Sequence, residues 1–221
     1  MKKILFATAI SLIFSVLLFA QNLPTIPLHL DLPAAPMPYK IDGKIHLLYE
    51  LHITSYRRTP VILDKLEVFG EKGESSSLAS YDGSTLTGMI GAPGTVEKAD
   101  AKKLIKPGER AIVFIDITLD RNLPTPNVLR HRLHISRPGS KDAARWIEHK
   151  GFKVNTNTPP IISPPLRGTG WIAFNGVSNF SDHRRATIVL SGSAFLAQRF
   201  AIDWAKVAEE DELKRISRLD T

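Results

Sequence analysis

Across residues 44–54 the chain keeps a strict two-residue beat. Ile45, Leu47, Tyr49, Leu51 and Ile53 stand on one face, Lys44, His46, Glu50, His52 and Thr54 on the other, and only Leu48 breaks the alternation. A helix would scatter these apolar positions around its circumference, whereas a strand gathers them on one side, so the stretch is committed to a sheet with a buried face. Shorter segments of the same kind follow. Val61–Phe69 is apolar with charged residues interleaved and ends in the turn Gly70-Glu71-Lys72-Gly73. Residues 78–81 and 86–90 form a pair of strands around Asp82-Gly83. Pro107-Gly108 introduces 111–119, where Val113, Ile115 and Ile117 share one face and Ile112 and Phe114 the other; apolar on both sides, it fits a central strand. Residues 129–135 alternate again. About seven short strands and no convincing amphipathic helix across 27–137 predict a mostly β chain with an immunoglobulin-like β-sandwich over 25–137.

The flanks have other textures. Lys2 and Lys3 precede an apolar run from Ile4 to Ala20, the pattern of a signal peptide over 1–20 with cleavage before Gln21. The expected location is periplasmic or secreted, and membrane contact follows only if that segment stays uncleaved as an anchor. Pro24, Pro27, Pro33, Pro36 and Pro38 then exclude helix and favour an extended entry. Residues 138–165 read as a proline-rich connector, with one or two helical turns across 142–149 and a short strand at Phe152–Lys153. Residues 166–205 are β-rich: 171–174, 186–190 and 194–204 are the strand candidates, with Ser191-Gly192-Ser193 as a hairpin turn. The tail 206–221 reads as a short C-terminal helix, because Glu210/Lys214 and Asp211/Arg215 lie four apart and acid precedes base.

With no cysteine, an exported chain of this kind has no disulfide framework and packing alone must hold it. A cysteine nucleophile is excluded as well. The net charge of +7 suits anionic envelope polymers better than nucleic acid, or is simply a solvating surface. No His-Glu-x-x-His run, Gly-x-Ser-x-Gly elbow or phosphate-cradling glycine loop is present. His46, Glu50 and His52 share a strand face on which Glu50 and His52 are close enough to share an ion, but zinc wants three or four ligands and the face reads as polar and solvated. His131 falls on the apolar face of its strand and reads as a hydrogen-bonded core histidine, and His134, three positions on, points to the other face.

Residues 164–204 carry the most distinctive strings. Pro-Pro-Leu-Arg-Gly at 164–168, Trp171, Asn175-Gly176, Ser-Asp-His-Arg-Arg-Ala at 181–186 and Gln-Arg-Phe-Ala-Ile-Asp-Trp at 198–204 occur in that order. Together they resemble the entry to the catalytic domain of secreted lysostaphin-like (LytM-type) zinc metallopeptidases, in which a β-sandwich also comes first. The resemblance spans roughly 27–204. It implies that a His-x-x-x-Asp element supplies two zinc ligands and a later His-x-His the third ligand and a base. On that reading Asp203 is the remnant of the first element, Arg199 stands where its histidine would be, and His183 is the last histidine of the chain. One carboxylate, even joined by His183, falls short of the three protein ligands a catalytic zinc needs.

The expectation is therefore an exported, non-catalytic binding or scaffolding protein of the cell envelope, with no cofactor. His183, Arg184, Arg185, Gln198 and Arg199 are its candidate binding residues, and the competing reading has both arginines of the 184–185 pair solvated or paired with Asp182. Its partner would be an envelope polymer, a protein or a related peptidase chain. The alternative is a truncated or split zinc endopeptidase acting on peptidoglycan or peptides, with zinc entering only if a downstream chain supplies the missing domain. Trp171, Phe174, Phe180, Phe195, Phe200 and Trp204 in so short a segment further predict an apolar patch beside the arginines, and a sandwich that stays soluble without residues 166–221.

Overall fold

The computed structural model describes residues 27–71, 76–91, 101–149, 151–158, 160, 161, 163, 165–176 and 178–206. The signal peptide expected over 1–20 and the helix expected over 206–221 fall outside these residues, save for Lys206. The chain is mostly β. One antiparallel sheet has the order β1 (Leu28–Asp31), β3 (Lys44–Ser55), β8 (Arg110–Asp120), β6 (Ile90–Gly91), with β2 (Met37–Ile41) also paired to β3. The second has the order β10 (Ser140–Glu148), β9 (Val128–Arg137), β4 (Val61–Phe69), β5 (Ala79–Asp82), with β7 (Leu104–Ile105) on β4 and β11 (Phe152–Lys153) on β9.

The two-residue beat explains how the sheets face each other. Leu47, Tyr49, Leu51 and Ile53 of β3 and Val113, Ile115 and Ile117 of β8 turn one way. They meet Val61, Leu63, Leu66 and Val68 of β4 and Leu129, Leu133 and Ile135 of β9 in a single core. On β4 the inward positions change from odd to even numbers because the pairing with β9 slips by one residue between Leu63 and Lys65. That bulge returns Leu66 and Val68 to the core. His131 of β9 is fully buried there, joined through Nε2 to the Tyr49 hydroxyl at 2.8 Å, as a core histidine should be. His134 lies on the opposite face against Trp146 and Asp64.

Three local expectations are corrected. Residues 142–149 are not helical: Pro138 and Gly139, the latter at φ +74°, turn the chain back so that β10 zips onto β9, with Ile147 opposite Leu133. Sheet pairing here outweighs the helical leaning of the Ala, Arg and Glu residues. Residues 86–90 are not a strand for most of their length. Gly83–Met89 forms a helix (α1) that buries Leu86 and Met89, three apart on one face, and Thr87 Oγ1 donates to the Gly83 carbonyl at 2.9 Å. Strand β14 ends at Leu196, so 194–204 is not one strand.

Beyond the sandwich, β12 (Trp171–Phe174) pairs with β15 (Asp203–Lys206), and β13 (Thr187–Leu190) pairs with β14 (Ser193–Leu196). A single-turn helix, α2 (Asp182–Arg185), precedes β13. Strands β10 and β11 lie inside the stretch read as connector. Among the described residues no helix is long and apolar enough to cross a membrane.

Candidate functional site

Strand β3 is buried on both faces, and this sets up the site. Its even-numbered residues point away from the sandwich core, beside the even-numbered residues of β8: Glu50 is opposite Phe114 and His52 opposite Ile112. These outward side chains do not form the solvated polar face expected of His46, Glu50 and His52. Leu48, Glu50, His52, Ile112 and Phe114 are all buried, and Glu50 is only 4% exposed. The cover comes from residues 178–200, which cross the outside of the sheet.

Helix α2 supplies the first contact. Ser181 caps it, its hydroxyl accepting from the Arg184 backbone N–H at 3.3 Å. The turn directs Arg184 onto the sheet, where it is 1% exposed and is the largest fully buried side chain described. Its Nη1 donates to Glu50 Oε1, and its Nη2 donates to the Tyr49 carbonyl at 2.9 Å and the Ile115 carbonyl at 3.4 Å. Arg199 closes on the same carboxylate from the other side, Nε donating to Oε1 at 3.0 Å and Nη2 to Oε2. Charge-assisted bonds from two guanidinium groups thus occupy both oxygens of one buried carboxylate.

Arg185, next to Arg184, donates through Nη2 to the Gly88 carbonyl at 2.8 Å, and both guanidiniums lie over the Phe114 ring, at 4.5 Å for Arg185 and 5.1 Å for Arg184. Burial pulls the pKa of both arginines down; for Arg184 the Glu50 charge pulls the other way and keeps the cation in place. Neither pairs with Asp182, which is exposed: in place of the competing solvated or Asp182-paired reading, Arg184 is held by Glu50 and Arg185 by the Gly88 carbonyl. Nearby, Tyr39 stacks on His46 and meets Phe200 edge-on, while His46 Nδ1 lies 3.1 Å from Asp116. Burial first, then the Asp116 charge, pushes the Tyr39 hydroxyl up to about 12.

His183 and Asp203, the two residues connected with zinc at the sequence level, do meet. His183 Nε2 lies 3.2 Å from Asp203 Oδ2, and its Nδ1 lies 3.3 Å from the Ala201 carbonyl. Asn175 donates through Nδ2 to the same Asp203 oxygen at 3.2 Å. The pair ties α2 to β15. Among the described residues no group of three or more His, Cys, Asp or Glu side chains is placed to hold a metal ion. Gln198 is exposed, and its carbonyl accepts the Ala201 N–H at 3.0 Å.

Several apolar side chains of the hairpin region are individually exposed. Ile188, Val189 and Leu190 of β13, Phe195 of β14, Phe200 and Trp204 of β15 are exposed. Phe114 and Tyr39 carry no site signal in the sequence, and Glu50 reads there as part of a solvated face that could at most share an ion with His52. The available signal was the apolar outer face of β8, which needs cover as much as the inner face does.

No protein-family model matches the chain, and no curated protein matches it. Among solved structures it is similar to the structural-genomics target SoR45, with 11% identity, TM-score 0.40, and coverage of 65% of this chain and 97% of that one. It is also similar to a putative ApaA protein from Bordetella pertussis, with 17% identity, TM-score 0.34, and coverage of 60% and 98%. A third is AvmM, described as catalysing macrocyclization in alchivemycin A biosynthesis, with 12% identity, TM-score 0.33, and coverage of 63% and 94%.

Proposed function

We infer that this chain is an exported, non-catalytic binding or scaffolding protein of the cell envelope, whose sandwich is a platform that holds residues 178–206 in a fixed pose. The observation that carries the reading is the clamp: Arg184 and Arg199 of the C-terminal segment both close on Glu50 of the central strand β3. A segment fastened by a buried charge cluster is held, not tethered, and the apolar side chains of β13 and β14 are thereby offered to a partner at a constant orientation. An envelope polymer or a protein of the envelope is the expected partner class, and the basic first residues followed by the apolar run to Ala20 support export.

A second reading is favoured by one contact, the 3.2 Å approach of His183 to Asp203. In it the chain is the front part of a zinc endopeptidase, resembling the LytM-type enzymes, and a separate chain completes the metal site. Metal analysis of the purified chain together with a peptidoglycan-release assay separates the two. The binding protein retains no stoichiometric zinc and releases nothing. Zinc-dependent turnover lost in Asp203→Ala overturns it.

A further inference from the structure

One end of the sandwich is basic, and the chain enters the fold there. Strand β3 finishes at this end and β4 begins, and the turn between them carries Arg57 and Arg58. Strand β9 finishes and β10 begins beside it, with Arg137 at the turn and Arg145 directly opposite Ile135. We propose that this end is a docking surface for a membrane rich in anionic lipid headgroups, with Arg57, Arg58, Arg137 and Arg145 contacting phosphate groups and Tyr56 lying at headgroup level.

The arginines gather without an acid among them. Arg137 stands two positions beyond Ile135 and Arg145 opposite Ile135, so both belong to one side of their sheet. Burial first, then the charges of Arg145 and Arg137, pull the Arg57 pKa down, as crowding of guanidiniums should. Glu109, on the turn before β8, is held by Lys106 at 3.0 Å, and Asp64 faces His134. Lys141 and Asp142 cancel, and Glu97, Lys98 and Asp100 are outweighed by the Lys102 and Lys103 that follow them. The opposite end mixes its signs: Asp42, Glu71 and Asp120 stand among Lys44, Arg121 and Lys153. A cluster of one sign attracts an oppositely charged surface across about a Debye length, ~8 Å at physiological salt.

The route of the chain indicates the occupant. Strand β1 begins at Leu28, paired with Ser55 at the finish of β3, and the Tyr56 N–H donates to the Pro27 carbonyl at 2.9 Å. The apolar run Ile4–Ala20 ends seven Cα steps before Pro27, at most about 25 Å of extended chain. While that run lies in a bilayer, the basic end is kept within this distance of the headgroups, and basic residues beside an apolar segment bind anionic lipid. A soluble polymer has no such tether. Tyr56 is 76% exposed, and a ring with a polar tip suits the boundary between water and lipid. The proposal rests on the export reading only for bringing this end to a membrane, and vesicle binding can fail while that reading stands.

The test uses the chain from Gln21, the expected exported form, which keeps every described residue. It is floated with vesicles of phosphatidylcholine alone or with one third phosphatidylglycerol. Retention is expected on the anionic vesicles alone at about 0.15 M salt, and its loss at about 1 M, where the Debye length falls to ~3 Å. Arg58→Gln, Arg137→Gln and Arg145→Gln together, all three exposed, should weaken binding roughly a hundredfold, at about fivefold per basic residue near a charged surface. The charge-matched control at the opposite end, Lys44→Gln with Arg121→Gln and Lys153→Gln, should stay within about twofold of the parent. A readout that needs no variant is broadening of the 15N-labelled parent by spin-labelled lipid, expected near 56–58 and 137–145 and not near 42–44 and 120–121. Equal retention on phosphatidylcholine, equal loss in both triple variants, or broadening at the other end overturns the surface. Capture of soluble polyphosphate without vesicle binding assigns this end to an anionic polymer and overturns it as well.

Discussion

Arg184 and Glu50 stand 134 positions apart in the sequence and meet under the crossing segment, where Arg199 joins them on the same carboxylate. Taking three charges out of water is costly, and their mutual attraction and the hydrogen bonds to the Tyr49 and Ile115 carbonyls offset that cost only while all partners are present. Glu50→Gln leaves two guanidiniums facing each other without a counter-charge. It should lower stability by roughly 3–5 kcal/mol, read from urea unfolding. Replacing all three residues with apolar ones of similar size, Glu50→Leu with Arg184→Met and Arg199→Met, should be close to neutral. A Glu50→Gln protein as stable as the parent means the clamp does not hold the segment down.

His131 makes the fold sensitive to acid. Complete burial, with the His149 charge second, pulls its pKa from 6.5 to about 3. Above pH 6.5 both folded and unfolded chains carry it neutral, and its contribution is fully present. As pH falls below 6.5 the unfolded chain binds a proton that the folded chain refuses, so stability drops by roughly 1.4 kcal/mol per pH unit until about pH 3. His52, also depressed by burial, acts in the same direction. His131→Gln keeps a polar atom near the Tyr49 hydroxyl without the titration. Urea midpoints measured from pH 7 to 4 should therefore fall less steeply for this variant, and parallel curves would rule out the proton linkage.

What could be read from the sequence was whatever the two-residue beat controls. Strands β3, β4, β8 and β9 are continuous patterns, and the placement of His131 and His134 on opposite faces follows from their parity. Helix α1 was hidden because Leu86 and Met89 fit a strand end as readily as one helical turn, and only the packing of both against the core decides. Strand β10 was hidden because its pairing depends on a partner rather than on its own composition. The clamp was invisible for a different reason. Glu50 among His46 and His52 looks like a solvated face until residues 178–200 are laid over it, and no local pattern connects position 50 with positions 184 and 199.

Gly151 offers a test of backbone geometry. It sits at φ +120°, and a Cβ there would come within 2.5 Å of Val128 Cγ1 and 3.2 Å of Arg130 Cγ. Both the conformation and the space exclude a side chain, because the turn brings β11 back onto β9. Gly151→Ala should destabilise by about 1–3 kcal/mol. Gly108, also at positive φ (+77°), has nothing within 4 Å of its would-be Cβ, so Gly108→Ala should cost less. Reversed ranking in thermal unfolding would show that the β11 turn can shift.

Removing the C-terminal segment should expose what it covers. A chain ending at residue 165 leaves Leu48, Ile112 and Phe114 uncovered on the outer face of β3 and β8, and deprives Glu50 of both arginines. Glu50 can rehydrate, but each large apolar side chain returned to water costs roughly 1.5–3 kcal/mol, and a contiguous apolar face promotes association. The sequence alone suggests a sandwich that stays soluble without 166–221; the burial of its outer face argues the reverse. The truncated chain should bind a hydrophobic dye and self-associate in sedimentation. Leu48→Thr, Ile112→Thr and Phe114→Thr introduced together should restore a monomer, because they make the outer face polar while leaving the inward positions of both strands unchanged. A truncated chain that is monomeric and dye-free without those changes would show that the segment lies on the sheet without being needed as its cover.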